Sequence, residues 1–197
     1  GGSPENPWRG DPLTAAFHVY VPDVDAAHQR AVDAGAKSIQ APQDMPYGER
    51  GSGVTDPFGN VWYIATAHGP QHVPEGLHTV NVYLHPHRAD PLIAFMKRAF
   101  GAEELAKYAA PDGIVHHAQV RVGDSIIEMG EAHGPYQPMP TRFYLYLPHV
   151  DSAYQRAIDA GATSIAPPKD QPYGERVAGV KDVFGNQWYI AAPIARG

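Results

Sequence analysis

Cysteine is absent from the 197 residues, which excludes disulfides, thiolate-held metals and a cysteine nucleophile and is compatible with a reducing compartment. No apolar run approaches the roughly 20 residues that cross a bilayer, and no secretory leader pattern is visible. A soluble, cytoplasmic protein without a membrane partner is therefore expected. Basic residues are too few for a nucleic-acid surface: 15 Lys and Arg stand against 21 Asp and Glu, for a net charge of -6, and no basic run or aromatic-basic stripe is present. Neither a Gly-x-Ser-x-Gly elbow nor the Gly-Lys-Ser/Thr of a phosphate loop occurs, so Gly51, Ser52 and Gly53 read as flexibility in a hairpin. What remains is a chain with 43% hydrophobic content, enough to bury a core.

Its dominant feature is a duplication. Residues 17–62 match residues 143–188 without a gap, with roughly three positions in five identical. Each copy opens with alternating apolar residues, which predict a strand over 17–21 and 143–147 because period two puts alternate side chains on one face. A helix follows, with Asp25 or Asp151 as its expected N-cap and Gly35 or Gly161 as its stop. A short strand, a loop carrying Tyr-Gly-Glu-Arg (47–50 and 173–176) and a hairpin turning at 56–60 or 182–186 complete a β-α-β-β-β module.

The segment between the copies repeats the plan with diverged residues: a strand over 78–84, an amphipathic helix over 89–100 stopped by Gly101, a strand over 103–108, and a hairpin of 114–122 and 125–130 around Gly123 and Asp124. The helix ending Ala-Phe-Gly-Ala-Glu-Glu-Leu (99–105), the Val-Gly-Asp-Ser-Ile-Ile hairpin (122–127) and the Asp-x-Phe-Gly-Asn-x-Trp ends resemble the vicinal oxygen chelate superfamily of glyoxalases, bleomycin-resistance proteins and extradiol dioxygenases, in particular its PhnB-like branch. The resemblance implies an α+β fold in which paired βαβββ modules form a curled mixed-sheet cup with ligand inside. Three modules are present. The implied domains are a single module at 1–68, a linker at 69–76 and a complete domain at 77–193, built from modules 77–133 and 140–193. The single module leaves a sheet face and edge uncovered. Either the natural protein extends upstream, or two copies pair as a homodimer.

Metal-dependent relatives place one ligand on the first and last strand of each module, often His, Glu, His and Glu. Carried over, these positions are Asn81, Glu128, Arg142 and Tyr189 in residues 77–193, and Ala16 and Tyr63 in the first module. Only Glu128 is a good ligand and Arg142 repels a cation, so no metal cofactor is expected unless a register shift recruits His78. An organic ligand is the alternative guest. Strand parity sets Tyr83 beside Asn81, Tyr144 and Tyr146 beside Arg142, and Gln187 beside Tyr189, giving an aromatic pocket with Glu128 and Arg142 facing each other as catalytic acid/base and clamp, or simply as a buried ion pair. His117 is a further ligand-binding candidate. His85 and His87 read as exposed loop histidines, Trp62 and Trp188 as core, and the Tyr-Gly-Glu-Arg loops as rims held by Arg–Glu contacts or as lids. Two functions follow: a metal-free binder of a small organic molecule, or a lyase, isomerase or dioxygenase with a divalent metal or with acid/base groups alone.

Overall fold

The computed structural model describes residues 13–134 and 136–194, and its elements fall into the three expected modules. The first contains β1 (Ala16–Tyr20), α1 (Val24–Asp33), β2 (Lys37–Met45), β3 (Glu49–Thr55) and β4 (Val61–Ala67). The second contains β5 (Val80–Leu84), α2 (Ala89–Phe100), β6 (Glu103–Ala109), β7 (Val115–Val122) and β8 (Ser125–Met129). The third contains β9 (Arg142–Tyr146), α3 (Val150–Asp159), β10 (Thr163–Asp170), β11 (Glu175–Lys181) and β12 (Gln187–Pro193). The fold is mixed α+β, and no helix among the described residues is long and apolar enough to cross a membrane.

The Asp-x-Phe-Gly-Asn-x-Trp motif is explained by one carboxylate. Asp182 Oδ1 accepts from the backbone N–H groups of Phe184 and Asn186, while Oδ2 accepts from Asn186 Nδ2 and Trp188 Nε1, at 2.8–3.0 Å. Asn186 Oδ1 then accepts from Thr141 N at 3.0 Å. The turn thus tethers the last strand of its module to the start of the first. Asp56, Asn60 and Trp62 repeat the arrangement, with Asn60 Oδ1 receiving Ala15 N at 3.1 Å. Gly59 and Gly185 adopt positive φ in these turns, a conformation that a side chain opposes.

The expected helix cap is displaced by two residues. Asp23, not Asp25, accepts from Ala26 N, and His149 occupies the N-cap position before α3 without a side-chain cap bond. Asp25 and Asp151 lie in the first turn and are claimed by Arg50 and Arg176, which also reach Asp44 and Asp170. The Tyr-Gly-Glu-Arg arginines therefore pin their loops to aspartates rather than to the adjacent glutamates.

The pairing of modules differs from expectation. One sheet has the order β2-β3-β4-β1-β5-β8-β7-β6, so modules one and two share it; module three forms a separate sheet, β10-β11-β12-β9. At the seam β1 runs antiparallel to β5, with His18 opposite Asn81. Modules 77–133 and 140–193 are joined instead through their helix sides, where Phe95 and Phe100 lie 6.3 and 5.0 Å from the Trp188 ring within one continuous core. The cause lies in α2. It buries Leu92, Ile93, Phe95, Met96, Ala99 and Phe100, a stripe wide enough to cover its own sheet and the helix side of module three together. That leaves the β5 edge for β1. Module one therefore has its sheet partner within the chain, and β9 is the terminal strand of its sheet among the described residues.

Candidate functional site

The eight-stranded sheet has two unlike faces. Val54, Ile64, Leu84, Val120, Ile127 and Met129 point toward the helices, so alternation sends His18, Tyr20, Tyr63, Tyr83, Gln119 and Glu128 to the other side. There a compact polar cluster forms across the seam. His18 Nδ1 lies 3.1 Å from Glu128 Oε2 and its Nε2 lies 3.5 Å from Glu49 Oε1. Tyr20 donates its hydroxyl to Glu49 Oε2 at 3.3 Å, Gln119 Nε2 donates to Glu128 Oε1 at 3.3 Å, and His117 Nε2 lies 3.8 Å from the same oxygen.

Burial and charge act together here. Glu128 is only 1% exposed. Burial alone would push its carboxyl up, but the hydrogen bond and charge of His18, with help from His117 and Gln119, hold it below its ordinary value. Burial works against a charged His18 ring as well, yet the bonds and charges of Glu128 and Glu49 outweigh it and raise His18 to about 9. At neutral pH the centre of the site is an imidazolium between two carboxylates.

Aromatic rings wall this centre. Tyr83 lies 5.1 Å from Tyr63 and 5.2 Å from His85, and Tyr136 stacks on His85 at 5.6 Å. His85 is buried, contrary to its reading as an exposed loop residue, and its Nε2 meets the Tyr63 hydroxyl at 2.7 Å. Burial drives it down to about 4, so it is neutral. Tyr83 needs a glycine beneath it: a Cβ on Gly130 would stand 2.9 Å from the Tyr83 hydroxyl and 2.8 Å from His116 O.

Of the residues singled out from sequence, Glu128, Tyr83 and His117 meet here. Asn81 is beside them but is spent on backbone, donating to His78 O at 2.7 Å and His18 O at 3.4 Å while accepting from His78 N. Arg142, Tyr144, Tyr146, Gln187 and Tyr189 belong to the other sheet. Arg142 is exposed there and donates from Nε and Nη2 to Gln187 Oε1 at 3.0 and 2.9 Å, so it does not face Glu128 as an ion-pair partner. Tyr144 and Tyr146 donate to the two oxygens of Glu175 at 2.7 and 2.8 Å. Sequence reasoning missed His18, Glu49 and Tyr20. The signal for His18 was available: it is two residues beyond Ala16 on one strand, hence on the same face.

Divalent-metal chemistry demands donors that converge on one point. These donors turn on one another, because His18 presents its two nitrogens, on different sides of the ring, to two different carboxylates. Among the described residues no group of three His, Cys, Asp or Glu side chains is arranged to hold an ion. The imidazole of His18 thus has a carboxylate oxygen at each ring nitrogen, Glu128 at Nδ1 and Glu49 at Nε2.

Comparison with known proteins agrees with this architecture. A profile described as the Glyoxalase/Bleomycin resistance protein/Dioxygenase superfamily matches residues 2–64 and 84–190. An uncharacterised protein of Mycobacterium bovis is 34% identical over 113 residues, spanning 52% of this chain and 74% of that one. A counterpart from Mycobacterium tuberculosis H37Rv has the same identity, with 66% of its length covered. Among solved structures, glyoxalase I from Zea mays superposes with a TM-score of 0.70 at 17% identity over 91% of this chain and 66% of that chain, a likeness of fold alone. TioX from Micromonospora sp. ML1 superposes with a TM-score of 0.51 at 25% identity over 57% of this chain and 96% of that one.

Proposed function

The chain belongs to the glyoxalase/bleomycin resistance protein/dioxygenase superfamily, and on that premise we propose that it binds a small organic molecule on the face shared by modules one and two, without the superfamily's divalent metal. The observation that carries this reading is His18 held between Glu49 and Glu128. Its two nitrogens and the carboxylates satisfy each other, so a cation would have to dismantle the trio before binding. The helix end at 99–105 and the hairpin at 122–127 further support the PhnB-like branch of the superfamily.

Two carboxylates against one imidazolium give the trio one net negative charge, and the surrounding rings are those of Tyr20, Tyr63 and Tyr83. This combination favours a guest that carries a flat or cationic group and a hydrogen-bond donor. His117, partly exposed beside Glu128, lies where such a guest would first meet the site.

Calorimetric titration with small amines, aromatic cations and small acids tests the proposal, alongside metal analysis of the untagged protein. Amines or aromatic cations are expected to bind the wild type and to lose at least tenfold in affinity in Glu49→Gln, which removes a carboxylate from the trio and leaves the His18–Glu128 contact in place. Close to one equivalent of tightly held Zn, Ni, Mn or Fe per chain, removable only with loss of binding, would overturn the metal-free reading.

A further inference from the structure

His116 and His117 are neighbours on β7 with separate destinations. His117 turns to the Glu128 carboxylate, 3.8 Å away. His116 is the extra residue of a β-bulge: Tyr108 of β6 pairs with His117 and Ala109 pairs with Val115, so His116 has no partner across the ladder. Bulges re-aim side chains, and this one sets the exposed His116 ring against His133, which follows β8, with ring centres 4.8 Å apart and planes inclined by 58°. Gly130 makes room for the bulge, because a Cβ there would stand 2.8 Å from His116 O.

The His133 ring has a fixed tautomer. Its Nδ1 lies 2.6 Å from the backbone oxygen of Glu131, an atom that only accepts, so Nδ1 keeps the proton and Nε2 of the neutral ring offers its lone pair. A backbone carbonyl behind one nitrogen is the common support of a metal-binding imidazole. The spacing agrees. With a metal–nitrogen bond of about 2.0–2.1 Å, two imidazoles on one ion have ring centres roughly 4.5 Å apart at a right angle and roughly 5.2 Å apart at the tetrahedral angle. The observed 4.8 Å lies between these limits.

The geometry points to a divalent transition-metal site at His116 and His133, separate from the contact of His18 with Glu128. Among the described residues no third His, Cys, Asp or Glu completes a ligand set, so water fills the remaining positions and the ion is exchangeable. Two imidazoles with water suit Zn(II), Ni(II) or Cu(II) over Mg(II) and Ca(II), which take oxygen ligands. The ion would stand beside Tyr136, whose ring lies 5.7 Å from His133 and 5.6 Å from His85 of the aromatic wall.

Calorimetric titration of the untagged 197-residue protein with zinc tests the site, using His116→Asn, His133→Asn and, as a control, His87→Asn in the exposed connection between β5 and α2. The wild type and His87→Asn are expected to take up one zinc per chain with micromolar affinity, and each of the other two variants to lose at least tenfold. Nitrogen-detected spectra of the histidine rings in the wild type supply a readout independent of any substitution: zinc should shift the Nε2 signal of His133 and a ring signal of His116 while leaving His18 in place. Failure to bind zinc, a loss under tenfold in either variant, or unmoved His116 and His133 signals would overturn the proposal.

Discussion

His18 Nδ1 lies 3.1 Å from Glu128 Oε2, joining the first strand of one module to the last strand of the next across 110 residues of sequence. The contact is buried, so its members depend on each other. Removing the imidazole in His18→Ala leaves Glu128 charged and without its main partner, at a cost of about 3–5 kcal/mol. Urea denaturation should show this loss. The Glu128→Gln, His18→Gln double variant is expected to recover part of it, because the orphaned charge is then gone.

Stability should fade on the alkaline side. His18 is raised from 6.5 to about 9 in the folded state, so folding binds a proton more tightly than the unfolded chain does. Its contribution is full below pH 6.5 and lost as pH climbs through about 9, a shift worth on the order of 3 kcal/mol. Glu128, held below 4.5, acts in the opposite sense: its contribution is present above pH 4.5 and lost as pH falls through its folded value. Denaturant midpoints across pH 4–10 should therefore be highest between about pH 5 and pH 6.5 and fall on either side, and His18→Gln should remove the alkaline limb.

The tryptophans separate the two copies. Trp188 is enclosed by three phenylalanines, and Trp188→Ala is expected to cost about 3–5 kcal/mol. Trp62→Ala, beside an open apolar cleft, should cost less than half as much by the same denaturation assay. Equal losses would show that the cleft is closed in solution.

Much of the fold was legible because local periodicity determines it. The α2 stripe and its stop at Gly101, a left-handed residue with φ 69°, are written in residues 89–101, and the three modules follow from the repeat. The site was not legible in the same way. Residues that share it depend on which sheet edge meets which, and copies one and three present nearly the same β1-type strand, so sequence could not say which of them β5 would join. Pairing β5 with module three would set Arg142 opposite Glu128; pairing it with module one brings His18 there. Glu49 was hidden differently, being read as part of a loop motif although β3 begins at that residue and turns it toward His18.

Gly130 offers the most local test of the site. Its missing side chain leaves room for the Tyr83 hydroxyl, and a methyl group there would meet that oxygen at 2.9 Å and the carbonyl of His116 at 2.8 Å. The carbonyl belongs to the sheet-side backbone and cannot retreat cheaply, so Gly130→Ala should push Tyr83 aside and shift the segment after β8, costing about 1–3 kcal/mol. Because Tyr83 stands directly opposite Glu128 in the β5–β8 pairing, the displacement should also reach ligand affinity. Adding Tyr83→Phe removes the hydroxyl clash but leaves the backbone one. The double variant should therefore recover only part of the stability lost in Gly130→Ala, read by thermal melts of the single and double variants side by side. Full recovery would place the whole penalty on the tyrosine; no recovery would place it on the His116 carbonyl.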